Sequence, residues 1–143
     1  MADFEDAYDA ILGQLKTAFA DTHTTVPVAW PGLDFDPATG FNPSRHTGWV
    51  RVTLRGGDGH QASLEGTGRR RWRYPGMIYA QVFCPTGAGM NAALAIADDV
   101  AAAWRGVTVN GVVLRAASVQ PIGNDRGWLQ VNVTCPYQFD LKA

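Results

Sequence analysis

Arg69-Arg70-Arg71-Trp72-Arg73-Tyr74 is the densest run of chemically capable side chains in the sequence. Guanidiniums interleaved with aromatic rings could contact phosphates and stack on bases, or could grip an acidic protein surface, where Arg and Trp are typical hot-spot residues. A solvated loop with no partner is the plain alternative. In a chain of formal net charge -1, so short a basic run gives weak, salt-sensitive affinity for DNA. Protein contact is the favoured reading.

Other motifs carry less. Gly87-Ala88-Gly89-Met90-Asn91-Ala92 matches G-x-G-x-x-A between a strand and a helix, the dinucleotide-binding context. That fingerprint also needs an acidic residue about 20 positions on and a parallel strand after the helix. No Asp or Glu occurs between Val100 and Asn124, and an Asn-Gly hairpin follows the helix. The glycines are therefore expected to form a turn, with Thr86 as the helix N-cap. His23, His46 and His60 stand in polar, loop-like surroundings without metal-ligand spacing. Asp34-x-Asp36 resembles the start of a calcium loop, but Ala38 and Thr39 occupy positions that need an oxygen ligand and a glycine. Asp98 and Asp99 are adjacent on a helix and so point about 100° apart, which excludes a paired carboxylate site. Cys84 and Cys135 each precede proline at a strand end and share inward parity, so they are expected close together as buried, unreactive thiols. No hydrolase signature is present. Catalysis, a metal and a cofactor are not expected.

The elements that must position these residues form one domain, expected to span residues 1–143. At 143 residues, with 46% hydrophobic and 17% charged side chains, the chain has ordinary globular composition. No basic segment leads into an apolar run near the first residue, and no apolar stretch is long enough to span a bilayer. A soluble, unexported chain with reduced thiols and no membrane partner is expected.

Phe4, Tyr8, Ile11, Leu12, Leu15 and Phe19 recur at spacings of three and four, predicting an amphipathic helix whose first turn is acidic. Val26 to Trp30 predicts a short strand, and Leu33 to His46 a long loop. Thr47 to Arg55 alternates, with Val50, Val52 and Leu54 on one side and Trp49, Arg51 and Thr53 on the other. Residues 56–75 predict a mobile hairpin arm carrying the arginines. Gly76 to Cys84 is a strand with Ile78, Ala80, Val82 and Cys84 inward. Ala88 to Trp104 is a helix whose stripe is Met90, Leu94, Ala97, Ala101 and Trp104. Asn110-Gly111 between β-branched runs is a hairpin signal, and Gly123 to Gly127 connects to the closing strand that starts at Trp128. The expected class is α+β: a mainly antiparallel sheet, two α-helices packed on one face, and a long β-hairpin arm.

By strand parity the sheet face opposite the helices displays Trp49, Tyr79, Phe83 and Trp128. A solvated face should be polar. Either the Leu33 to His46 loop covers these rings, or they contact another subunit.

The order of segments is specific enough to compare with a family. Met77 to Pro85, then Thr86-Gly87-Ala88-Gly89, then Met90 to Val100, is answered by Trp128 to Tyr137, with Pro27 to Pro31 and Gly48 to Leu54 upstream. This pattern, from roughly Phe4 to Phe139, resembles the tail terminator proteins of long-tailed bacteriophages. The resemblance implies a structural virion protein that caps the tail tube as a ring of six subunits, ends tube polymerisation and presents the head-tail joining surface. Implied partners are further copies of the chain, the major tail tube protein and a head-tail connector or stopper, with DNA passing through the lumen. Implied localisation is the head-proximal end of the tail, after assembly in the host cytoplasm. Arg69, Arg70, Arg71, Trp72, Arg73, Trp49, Tyr79, Phe83 and Trp128 are the candidate interface residues. Another neck or tail-completion component is the alternative function, and a small DNA-binding module is a further one.

Overall fold

The computed structural model describes residues 3–22, 26–33, 35–36, 40–42 and 45–143. His23, Asp34, Pro37, Ala38, Thr39 and Pro43 lie outside the described residues, and the calcium-loop reading with them.

In chain order the elements are α1 (Phe4–Thr22), β1 (Val28–Ala29), β2 (Trp49–Gly56), β3 (His60–Gln61), β4 (Arg71–Pro85), a 3-10 turn (Thr86–Ala88), α2 (Met90–Trp104), β5 (Thr108–Val109), β6 (Val112–Leu114), β7 (Ser118–Asp125) and β8 (Trp128–Lys142). The sheet order is β1-β2-β4-β8-β6-β5, with β3 added to β4 and β7 to β8. Among the described residues, only the β1-β2 pairing is parallel. This is the α+β class read from the sequence.

Two long strands form the spine. β4 pairs antiparallel with β8 from Arg71↔Lys142 to Pro85↔Trp128, and β2 lies on the other side of β4, from Trp49↔Phe83 to Gly56↔Gly76. Period-two alternation then assigns the faces. Val50, Val52, Ile78, Ala80, Val82, Cys84, Val131, Val133, Cys135, Tyr137 and Phe139 are buried on the helical side. There they join Ala7, Ile11, Leu15 and Phe19 of α1 and Ala93, Ile96, Ala97, Val100, Ala101 and Trp104 of α2 in the main core.

Helix α1 begins where its sequence says it should. The Asp3 carboxylate accepts the Asp6 N–H at 2.8 Å, an N-cap bond. The Trp104 indole N–H donates to the Ile11 carbonyl at 3.3 Å and fastens the two helices together. Phe4, 45% exposed, still packs edge-on against Tyr74 and Phe139 at 4.9 and 5.1 Å.

Several expectations are corrected. In α2 the buried stripe runs through Ala93, Ile96 and Val100, while Met90 and Leu94 lie at its margin and are only half-buried. The helix starts at Met90 after Gly89, which has φ 82° and no side-chain capping bond, so Thr86 is not the N-cap. Arg71 to Pro75 belong to β4 and not to a loop, because β8 extends far enough to pair with them. β3 adds a second partner, with His60↔Arg73 and Gln61↔Trp72. Gly123 to Asp125, expected as part of a connection, instead end strand β7. Pro121 and Gly123 break its pattern, and its register shifts between them, as in a bulged edge strand. Cys84 and Cys135 are not close: Cys84 lies opposite Leu129 and Cys135 opposite Ile78, a displacement of six strand residues or about 20 Å.

Both two-residue hairpins have left-handed central residues, Asn110 (φ 49°) with Gly111 (φ 83°) and Arg126 (φ 51°) with Gly127 (φ 85°), as turns that match strand twist require. Gly76 is needed for another reason. It sits opposite Tyr137, whose ring would lie 2.3 to 2.5 Å from an added Cβ. Gly76→Ala is expected to cost about 1–3 kcal/mol through overpacking, whereas Gly66→Ala, which meets nothing within 4 Å, should be near neutral. Thermal unfolding of the two variants beside the parent checks this.

Candidate functional site

The face of the sheet away from the helices divides into three zones along β2, β4 and β8. At one end, Trp49 stacks on Phe83 with ring centroids 4.4 Å apart and meets Trp128 edge-on at 6.1 Å. Phe35 and Phe41, from the segment between β1 and β2, approach Trp49 and Trp128 at 5.0 Å each. Together with Ala29 these rings form a second, smaller core. Trp49 is only 3% exposed. Of the two readings of the aromatic set, cover by the β1-β2 loop describes Trp49, Phe83 and Trp128 in the isolated chain. The Trp49 indole N–H finds no acceptor among the described residues.

Tyr79 stands apart in the middle zone. It lies between Thr53 on β2 and Thr134 on β8. With Thr53, Arg55, Gln81 and Asn132 it lines a shallow depression of about 280 Å³. The guanidinium of Arg55 lies 5.9 Å from the Tyr79 ring, and that of Arg51 lies 5.3 Å from Trp49. These cation-π contacts hold both arginines over the sheet.

At the far end the arginine run splits by position. Arg69 lies in the exposed turn before β4. Arg70 reaches Thr67 Oγ1 at 3.1 Å and lies 5.6 Å from the Trp72 ring. Its Nε is buried without a partner among the described residues. Trp72 has the parity of the helical side and, with Arg70, Tyr74 and Leu141, lines a groove at the sheet end. Arg71 and Arg73 point to the open face. Arg73 makes a two-pronged ion pair with Asp140, at 2.8 and 3.1 Å. The bond to Asp140 raises the Arg73 pKa, and the bond to Arg73 holds the Asp140 carboxyl below its ordinary value. Sequence spacing could not reveal Asp140 as the partner, because only the β4-β8 register makes the two residues opposite.

Among the described residues, no Asp, Glu, His or Cys lines the depression around Tyr79, the groove at Arg70 or a larger groove of about 500 Å³ between Trp30 and Leu54. Among the described residues no cluster of three or more His, Cys, Asp or Glu side chains could hold a metal ion. None of the described helices is long and apolar enough to cross a membrane. His46 is occupied structurally, its Nδ1 accepting the Asn42 N–H at 2.9 Å. His60 is exposed on β3.

Comparison with known proteins gives this surface its context. The family described as phage tail terminator protein matches residues 6–137. The chain belongs to the phage tail terminator family. It is thereby a structural protein of phage tails, as the order of its strands and helices implied. No curated protein matches it. One solved structure, whose name carries no functional description, superposes with a TM-score of 0.64 at 22% identity, covering 97% of this chain and 94% of that one. A chain from the virion of a native gene transfer agent particle gives a TM-score of 0.50 at 15% identity, with 94% of each chain covered. At these identities the likeness concerns the fold.

Two predictions follow from the burial of the site. Trp49→Ala should destabilise the domain by about 3–5 kcal/mol by emptying the small aromatic core, while Tyr79→Ala on the open face should stay within about 1 kcal/mol of the parent. Paired denaturant unfolding curves decide between this and an externally disposed Trp49.

The thiols supply the second. Burial pushes Cys84 up to about 11 and raises Cys135 as well. Both groups then keep their protons when folded at a pH where the unfolded chain has lost them. The Cys84 contribution to stability is therefore fully present below about pH 8.5 and declines as pH rises towards 11, and Cys135 acts in the same direction. Unfolding free energy across that range measures the slope, and thiol reagents should react slowly until denaturant is added.

Proposed function

We propose that the protein caps the growing tail tube as a ring of six copies, ends tube polymerisation and presents the surface to which the head's connector or stopper attaches. The family match over residues 6–137 carries this reading. Its action is assembly by burial of surface, with no bond made or broken. The major tail tube protein contacts one side of the ring and the head-tail joining protein the other, placing the chain at the head-proximal end of the tail with DNA passing through the lumen.

The rim supplied by Arg69, Arg70, Arg71 and Trp72 supports a contact role. These side chains cluster where β4 begins, and Arg69 and Arg71 are exposed. Arg73 differs, being held by Asp140. Tyr79 offers a second contact point on the open face. In this reading Trp49, Phe83 and Trp128 support the surface from beneath the β1-β2 loop.

Electron microscopy of purified tail tubes with the added protein should show a ring at one end and no further growth when tube subunits are supplied. The combined Arg69→Ala and Arg71→Ala variant should melt close to the parent, because both side chains are exposed and their loss leaves the core intact, yet should leave tails overlong or headless. Protein that decorates tube walls, or tubes that keep growing, would remove the capping function.

A further inference from the structure

The open sheet face and the first turns of α1 carry charges of opposite sign. On the open face of β2, β4 and β8, strand parity places Arg51, Arg55, Arg71, Arg73 and Lys142 against the single carboxylate of Asp140. Asp140 is already bound to Arg73. Arg51 and Arg55 rest on aromatic rings, and among the described residues neither is paired with an acid. Beside them on the same face lie Thr53, Gln81 and Asn132, neutral groups that present donors and acceptors to an incoming surface.

The helical layer shows the reverse. Glu5, Asp6 and Asp9 are exposed on the first turns of α1. The basic residue of that helix, Lys16, lies further along it and leans over Trp30 at 4.9 Å. Because the core separates the two layers, the acids of α1 cannot reach the cations of the open face in the same chain. Two open faces meeting about a two-fold axis would oppose cation to cation. A head-to-tail contact instead sets each basic face against an acidic helix. The lengths also agree: 19 helical residues span about 28 Å, and the strand stretch from Arg71 to Gln81 spans about 33 Å.

We propose that the open, arginine-bearing sheet face of one copy docks on the acidic outer side of α1 in the next, a face-to-back contact between copies of this chain. The proposal rests on the ring reading above and assigns its subunit interface. Like-charge contact across an interface is strongly unfavourable, so reversing either partner should block docking and reversing both should restore it.

The test uses the full chain in four forms: the parent, Arg51→Glu with Arg55→Glu, Glu5→Lys with Asp9→Lys, and all four changes together. All four positions are exposed, so thermal unfolding should match the parent and confirm folding. Oligomer mass is read by light scattering in solution, and ring occupancy by electron microscopy on tail tubes. Each paired variant alone should associate at least about tenfold more weakly. The fourfold variant should recover association, and so should a mixture of the two paired variants, since alternating copies make every contact complementary. Parent association should also weaken as salt rises.

Intact rings from both paired variants, or no recovery on mixing, would overturn the docking while leaving the ring reading in place. A parent that forms no ring even on tubes would remove that reading and the docking with it. If the arginine variant assembles normally but loses affinity for duplex DNA, the face serves phosphates and the proposal fails.

Discussion

Fifteen-residue strands β4 and β8, paired along their whole length, are the constraint on which the remaining structure depends. Their register places every second residue of each on the helical side, so one pairing decides the core and the open face together. Each flank of the pair recruits further elements. β2 adds to β4, while β7 and β6 share the outer edge of β8, with β7 beside its first half and β6 beside its second. The helices then cover one face only, joined to each other by the bond from Trp104 to Ile11.

The same pairing gives the protein its two-sided character. A sheet with helices on one face must leave the other to solvent, to a loop or to a partner. Here the β1-β2 segment closes one end through Phe35 and Phe41, and the rest remains polar and basic. The acidic residues of α1 lie on the far side of the core. A net charge of -1 therefore conceals a separation of charge across the domain. Such a distribution suits a structural subunit whose opposite faces meet different surfaces.

Burial also explains why the potentially reactive groups are quiet. Cys84 and Cys135 are held apart along the strands and shifted away from the thiolate form. Tyr137 lies under Gly76 with its hydroxyl by Tyr8, and burial raises its pKa well beyond the ordinary phenol range. Keeping their protons leaves these side chains uncharged and suits them to packing.

Alternation of Val50, Val52 and Leu54, and of Ile78, Ala80 and Val82, determined strand faces from the sequence alone, because side-chain direction in a strand depends only on position parity. Three- and four-residue spacing located α1, Asn110-Gly111 located a hairpin, and the order of segments pointed to the tail terminator family. Local patterns could not set the partners of those elements. Whether Arg71 to Pro75 formed loop or strand depended on the distant residues Gln138 to Lys142, and the Arg73-Asp140 pair depended on the same register. Trp49 shows the limit in a single side chain: parity put it on the outer face, but burial required Phe35 and Phe41 to fold over it, a contact made only when the chain returns across the sheet.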